Sequence, residues 1–440
     1  MASTDLATQL APELVPGAAE ERKSIHLGMF GRTPPFTRRE WRVFGIATTA
    51  GFFNQYDGAL LSLALKQIQK GLGIAEANLG TMASVIRLGY LCSLLITPFS
   101  DVFGRRRLLL YTVIGYTIFT GLSAIAPDER WFVSFQFMAR ILAGAEGTVA
   151  MVIVIEEVGA AYRGWSIGLM GALASCGYGV AALVFATINV MPYGWRGLYA
   201  IALIPLGLII PLRRVLPESH RFEREKLEGV RPSNVLQPLA SLFSAYPARL
   251  ALMLSVIFGL AMGGASAGLY FPKFLQEVHG YSPGNVATLV VIGGAIGILG
   301  NIVSGRMSDR FGRRRMGAAF ALVATMLAIA MYGAPGRSVI PIWILHLFFG
   351  TASDTIIGAY GVELFPTSYR STAGSALSVA GTTGGAIGLM LEGLMYRASG
   401  SHWTDVRYLL LLQLVVPVLI FLLFPETAGR ELEDISPEHA

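Results

Sequence analysis

Apolar stretches of about twenty residues, each bounded by charged or turn-forming clusters, recur along the whole chain. A helix of that length crosses a hydrocarbon core of ~30 Å. Such runs begin near Arg42, Leu79, Leu108, Trp131, Trp165 and Gly197, and again near Ala248, Asn285, Met316, Val339, Thr372 and Tyr408. The pattern predicts an all-α membrane protein of about twelve transmembrane helices. It divides the chain into an N-terminal tail (1–40), a six-helix half (41–216), a central loop (217–246), a second six-helix half (247–424) and a C-terminal tail (425–440).

Composition agrees. Only 14% of the 440 residues are charged, against about 25% in soluble domains. The 51 glycines suit close helix packing in lipid. A net charge of +6 would suggest nucleic acid if it formed one face, but the basic residues fall in short clusters between spans. Arg105 to Arg107, Arg163, the central-loop arginines, Arg310, Arg313 to Arg315 and Arg370 share one side. The other side keeps scattered cations such as Lys66, Lys70, Arg130, Arg196, Lys273, Arg337, Arg397 and Arg407. The positive-inside rule then places both termini in the cytoplasm. The polar start of the chain reads as a tail rather than a signal peptide. Ala-, Gly- and Arg-rich usage with no Asn-x-Ser/Thr sequon points to a bacterial inner membrane. Cys92 and Cys176 both lie in apolar runs and imply no disulfide framework.

The chain also repeats itself. Asp101-Val-Phe-Gly-Arg-Arg-Arg107 returns as Asp309-Arg-Phe-Gly-Arg-Arg-Arg315, and Glu156 with Arg163 returns as Glu363 with Arg370. Pro217-Glu-Ser219 returns as Pro425-Glu-Thr427, and Lys66-Gln-Ile-Gln69 as Lys273-Phe-Leu-Gln276. The common spacing predicts two pseudo-symmetric halves with a substrate site near the midplane between them.

These loops resemble the signatures of the major facilitator superfamily. Glu363-Leu-Phe-Pro-Thr-Ser-Tyr-Arg370 and the Pro-Glu-Ser/Thr motifs resemble its branch of sugar porters, organic-ion carriers and metabolite:proton symporters. The resemblance implies alternating access and a gating role for Asp101, Gly104, Arg105, Glu156, Arg163, Asp309, Gly312, Arg313, Glu363 and Arg370. The plainer reading is that the arginines set topology and bind anionic lipid heads. Two departures weigh against a hexose. The seventh span lacks the sugar porters' Gln-rich signature, and the fifth, Leu169 to Ala186, holds no Gln. An organic acid is the favoured substrate.

Charges within spans are costly and point to function. Asp57, Arg87 and Arg140 fall at similar depth, about 21–24 Å above the inner helix ends at ~1.5 Å per residue. One carboxylate is thus expected between two guanidinium groups, with Asn54 and Tyr56 beside it. The resemblance matches Asp57, in Phe53-Asn-Gln-Tyr-Asp-Gly58, and Arg140 to the family's proton-coupling pair. The alternative is a fixed ion pair joining two helices. Arg87 has no counterpart in the motif; it either binds an anionic substrate or snorkels to outer head groups. Glu146 and Asp354, near-equivalent in the repeat and ~14–15 Å deep, are expected to face one cavity. The alternative is a bond from each to a neighbouring helix. Protons and a small solute are the implied partners, with the bilayer and a monomeric state. Nothing in the chain has the spacing of a metal, cofactor or catalytic site. A facilitator, a sugar transporter, a proton-antiport exporter and a transporter-fold nutrient sensor stand as alternatives.

Overall fold

Thr37 opens the first helix with a reciprocal cap. Its Oγ1 accepts from the Glu40 N–H at 3.1 Å, and its own N–H donates to Glu40 Oε2 at 2.7 Å. The helix therefore starts at Arg38, slightly before the apolar run. The computed structural model describes residues 33–430 except 98, 101–103, 160–161, 205, 208–235 and 367, together with Ile435. Asp101 and most of the central loop and tails lie outside the described residues.

The first half comprises α1 (Arg38–Leu63), α2 (Leu65–Leu72), α3 (Leu79–Ile96), α4 (Arg105–Ser123), α5 (Glu129–Glu157), α6 (Arg163–Phe185) and α7 (Trp195–Ile201). A short α8 (Leu236–Ala245) falls where the sequence predicted only loop. The second half comprises α9 (Pro247–Glu277), α10 (Pro283–Phe311), α11 (Arg313–Met331), α12 (Val339–Glu363), α13 (Arg370–Ser399), α14 (His402–Gln413) and α15 (Val415–Leu423). The twelve spans form two six-helix halves. Among the described residues nine helices are long and apolar enough to cross a membrane by themselves. The first and third spans, α1 and α4, begin on arginine clusters, and α1 also carries Asn54, Gln55 and Asp57.

Glycine sets the crossings, and it does so twice. A methyl group on Gly177 of α6 would overlap the Phe52 carbonyl of α1, and one on Gly384 of α13 would overlap the Phe258 carbonyl of α9. Gly89 against Phe137 and Gly300 against Phe348 repeat the arrangement between α3 and α5 and between α10 and α12. Backbones meet here without side chains between them. Gly384→Leu is expected to cost about 1–3 kcal/mol through overpacking, read as a lower melting temperature in detergent; an unchanged melting temperature would refute the tight crossing.

Bonds between the halves gather toward the end opposite the arginine loops. Ser62 Oγ donates to the Gly268 carbonyl at 2.8 Å, Gln67 Nε2 to Gln276 Oε1 at 2.7 Å, and Ser84 Oγ to the Ala386 carbonyl at 2.7 Å. This end is zipped.

Candidate functional site

Below that zipped end a cavity of about 510 Å³ is lined by α1, α3, α5, α6 and α13. Its wall runs from Asn54 and Arg87 toward Ala47, Leu94 and Ala150, nearer the arginine-loop end. The space faces that end.

At its deep side Arg140 and Asp57 form a buried pair. Arg140 Nη1 lies 2.9 Å from Asp57 Oδ2, and Nη2 donates to the Asp57 carbonyl and to Gln136 Oε1, both at 3.1 Å. The two residues are 3% and 1% exposed, so each is the other's main compensation for lost water. The Arg140 guanidinium lies 6.0 Å from the ring of Tyr90, which lines the cavity. The pair is therefore one ring away from the space a solute would occupy.

The structure separates Arg87 from this pair, contrary to the expected three-membered cluster. Depth along the helices matched, but α3 turns Arg87 toward the other half. There its Nη2 lies 3.5 Å from the Gly381 carbonyl, and its guanidinium rests where a Gly385 side chain would be. Arg87 lines the cavity, and its buried Nε has no hydrogen-bond partner.

Three other placements correct the sequence reading. Tyr56 is buried with its hydroxyl directed to the Leu198 carbonyl of α7 at 3.3 Å, so it does not line the cavity. Glu146 is fully buried behind Asn54, whose Nδ2 donates to its Oε2 at 2.6 Å; Asn54 presents to the cavity in its place. Asp354 lines a separate space of about 300 Å³ in the second half, with His346, Thr325 and Gln413. Equivalent positions in the repeat thus look into different environments, because Asn54 covers one acid and not the other.

The loops pair alike in the two halves. Arg105 meets Glu156 at 3.0 Å, and Arg313 pairs with Glu363. Arg163 Nε donates to the Ile155 carbonyl and Arg370 Nε to the Val362 carbonyl, each at 2.9 Å. Gly104 and Gly312 hold φ of +95° and +96°, which explains why the spacing carries a glycine there. The Asp309 side chain is 69% exposed and lies 3.5 Å from Arg313 at the start of α11. The carboxylate at that helix N-terminus is Glu426, which accepts from the Arg313 and Arg314 N–H groups at 2.7 and 3.3 Å. The Pro-Glu-Thr repeat had marked Glu426 without disclosing its partner. Glu426→Ala is expected to lower stability by about 0.5–2 kcal/mol, as loss of a helix cap does, which thermal melting would read.

A family model for the Major Facilitator Superfamily matches residues 47–353 and 301–438. The chain belongs to the major facilitator superfamily. This member is a secondary transporter that works by alternating access, not an enzyme. Among relatives, it is 25% identical to the niacin transporter of Acinetobacter baylyi over 91% of this chain and 97% of the other. It is also 25% identical to the benzoate transport protein of the same organism, over 90% and 92% of the two chains. The inward-open xylose transporter XylE from E. coli shares its fold with a TM-score of 0.72 at 19% identity, over 90% and 99% of the chains.

Proposed function

We propose that this transporter imports a small aromatic or unsaturated carboxylic acid together with a proton across a bacterial inner membrane, as a monomer with both termini cytoplasmic. The observation that carries the reading is Arg87. A guanidinium on the wall of a cavity of about 510 Å³, held only by a 3.5 Å contact to the Gly381 carbonyl, suits a carboxylate. Tyr90 and Gln55 on the same wall offer an aromatic face and an amide. The names of the niacin and benzoate carriers support the same class.

Coupling falls to Asp57 and Arg140. A proton on Asp57 takes over the neutralisation that Arg140 supplies, and frees the guanidinium toward Tyr90 and the cavity. Proton and substrate would then bias the same two-state equilibrium between the halves. Uptake of benzoate and nicotinate into proteoliposomes, with and without an inward proton gradient, tests this. Gradient-driven accumulation of an acid, with no uptake of its neutral amide, is expected. Mere equilibration would mark a facilitator, and uptake against the proton flow an antiporter.

Gly385 gives a further prediction. Its missing side chain leaves the slot that Arg87 occupies. Gly385→Ala should push the guanidinium aside and raise KM about 10-fold, the equivalent of ~1.4 kcal/mol, with little change in maximal rate. An unchanged KM would count against the slot.

A further inference from the structure

The zipped end holds a charged cluster that the transport mechanism above does not use. Glu76, between α2 and α3, belongs to the first half. Its Oε2 accepts from Lys273 Nζ of α9 at 2.5 Å and from His402 Nε2 of α14 at 2.9 Å. The other ring nitrogen of His402, Nδ1, bonds Glu392 Oε1 of α13, and Glu392 Oε2 accepts from the Tyr270 hydroxyl at 2.5 Å. Lys273, His402 and Glu392 are 0%, 4% and 0% exposed, whereas the Glu76 side chain is 37% exposed.

This geometry fixes a proton count. Two nitrogen–oxygen contacts on one imidazole need two protons, one more than a neutral ring between two carboxylates supplies. Both carboxylates already accept from other donors, Lys273 on one and Tyr270 on the other. The extra proton belongs to the cluster, and the ring is its seat when both carboxyls are ionised. Two aromatic faces support a cation there: Tyr270 and Tyr396 stack on His402 with centroids at 4.6 and 4.1 Å. The remaining titratable neighbours are Glu277, 3.3 Å from Lys273, with Tyr332 just after α11 and Asp405 of α14, the latter held by Ser399 Oγ at 2.6 Å.

We propose that Glu76, His402 and Glu392 form a proton-binding site distinct from Asp57, and that its occupancy latches the outer mouth. Glu76 is the member contributed by the other half. Opening the mouth withdraws it from His402 and leaves the ring with one carboxylate. The proton thus binds more tightly to the closed mouth than to the open one, and by reciprocity it favours closure by the same factor. External alkalinity releases the latch; moderate external acidity holds it. Only the assignment of this end to the outside rests on the proposed orientation.

The test measures conformation without substrate. Spin labels replace the exposed Arg130 and Arg337, one in each half, in a background with Cys92 and Cys176 changed to serine. Distances are read by double electron–electron resonance in nanodiscs between about pH 6 and pH 9, the range in which an imidazole changes charge. The parent chain should show a growing long-distance population as pH rises. In an Asp57→Asn background, where the central pair no longer titrates, adding His402→Gln should remove the pH dependence of that population, and adding Glu76→Gln, the second variant should the first not fold, should act alike. Asp57→Asn alone should keep the dependence. A parent without pH dependence, a dependence that survives both additions, or one that disappears in Asp57→Asn alone, would overturn the proposal. In the last case the central pair, and not the latch, would hold the titrating proton.

Discussion

In Asp57→Asn, gradient-driven accumulation of substrate should disappear while substrate-for-substrate exchange continues. A proton gradient of one pH unit is worth about 1.4 kcal/mol, so one-to-one symport sustains up to about tenfold accumulation. The amide cannot take up a proton in this range, and the ratio should fall to about one. Arg140 would keep its bonds to the residue 57 carbonyl and to Gln136, both at 3.1 Å in the native chain. The helices should therefore stay in place. Removing the guanidinium instead, in Arg140→Gln, leaves Asp57 buried without its cation, a change that costs about 3–5 kcal/mol in comparable buried pairs. Asp57→Asn should thus be well folded and uncoupled, and Arg140→Gln markedly less stable. Full accumulation in Asp57→Asn would remove the coupling role and leave the pair as a structural tie between α1 and α5.

Most of the architecture was legible because its causes are local or periodic. Spans follow from runs of apolar residues, and halves from motifs that recur at one spacing. The Asp57–Arg140 pair was legible from the family resemblance, and depth agreed with it: both lie far inside spans, where a charge needs a partner. Depth is a single coordinate, however, and the direction of a side chain around its helix is another. That second coordinate separates Arg87 from Asp57 and turns Tyr56 toward Leu198. It also sets Glu146 behind Asn54 while Asp354 reaches a cavity of its own.

The cluster at the zipped end was the larger omission. Lys273 read as one of several scattered cations, yet it is fully buried against Glu76 and Glu277. Glu392 lies near the end of α13, where an acid passes for a boundary residue. Its partners come from α9 and α14, and no spacing along the chain announces such a meeting. One signal was present: Lys273 begins the segment that repeats Lys66-Gln-Ile-Gln69, and a repeat at a loop position deserves a structural reason. Gln67 and Gln276, from the two copies, bond each other across the halves at 2.7 Å.

Arg87→Gln should raise KM for a carboxylate substrate by about 10- to 100-fold. A hydrogen bond to a charged group contributes about 1.5–3 kcal/mol, and the glutamine amide replaces a paired guanidinium with a single neutral donor. The expected loss is confined to binding, since Asp57 and Arg140 are bonded to each other and not to Arg87. Maximal rate and the dependence on the proton gradient should persist at saturating substrate. Arg87→Lys should recover part of the affinity, because an ammonium keeps the charge but loses the planar fork. A neutral amide of the same ring discriminates further. It should compete weakly in the parent chain and about as well as the acid in Arg87→Gln. Uptake kinetics in proteoliposomes, with competition by acid and amide, would measure all three effects. If Arg87→Gln transported the acid with an unchanged KM, the guanidinium would serve only to join α3 to the Gly381 carbonyl. The carboxylate's partner would then have to be sought elsewhere on the cavity wall, with Gln55 the first residue to test.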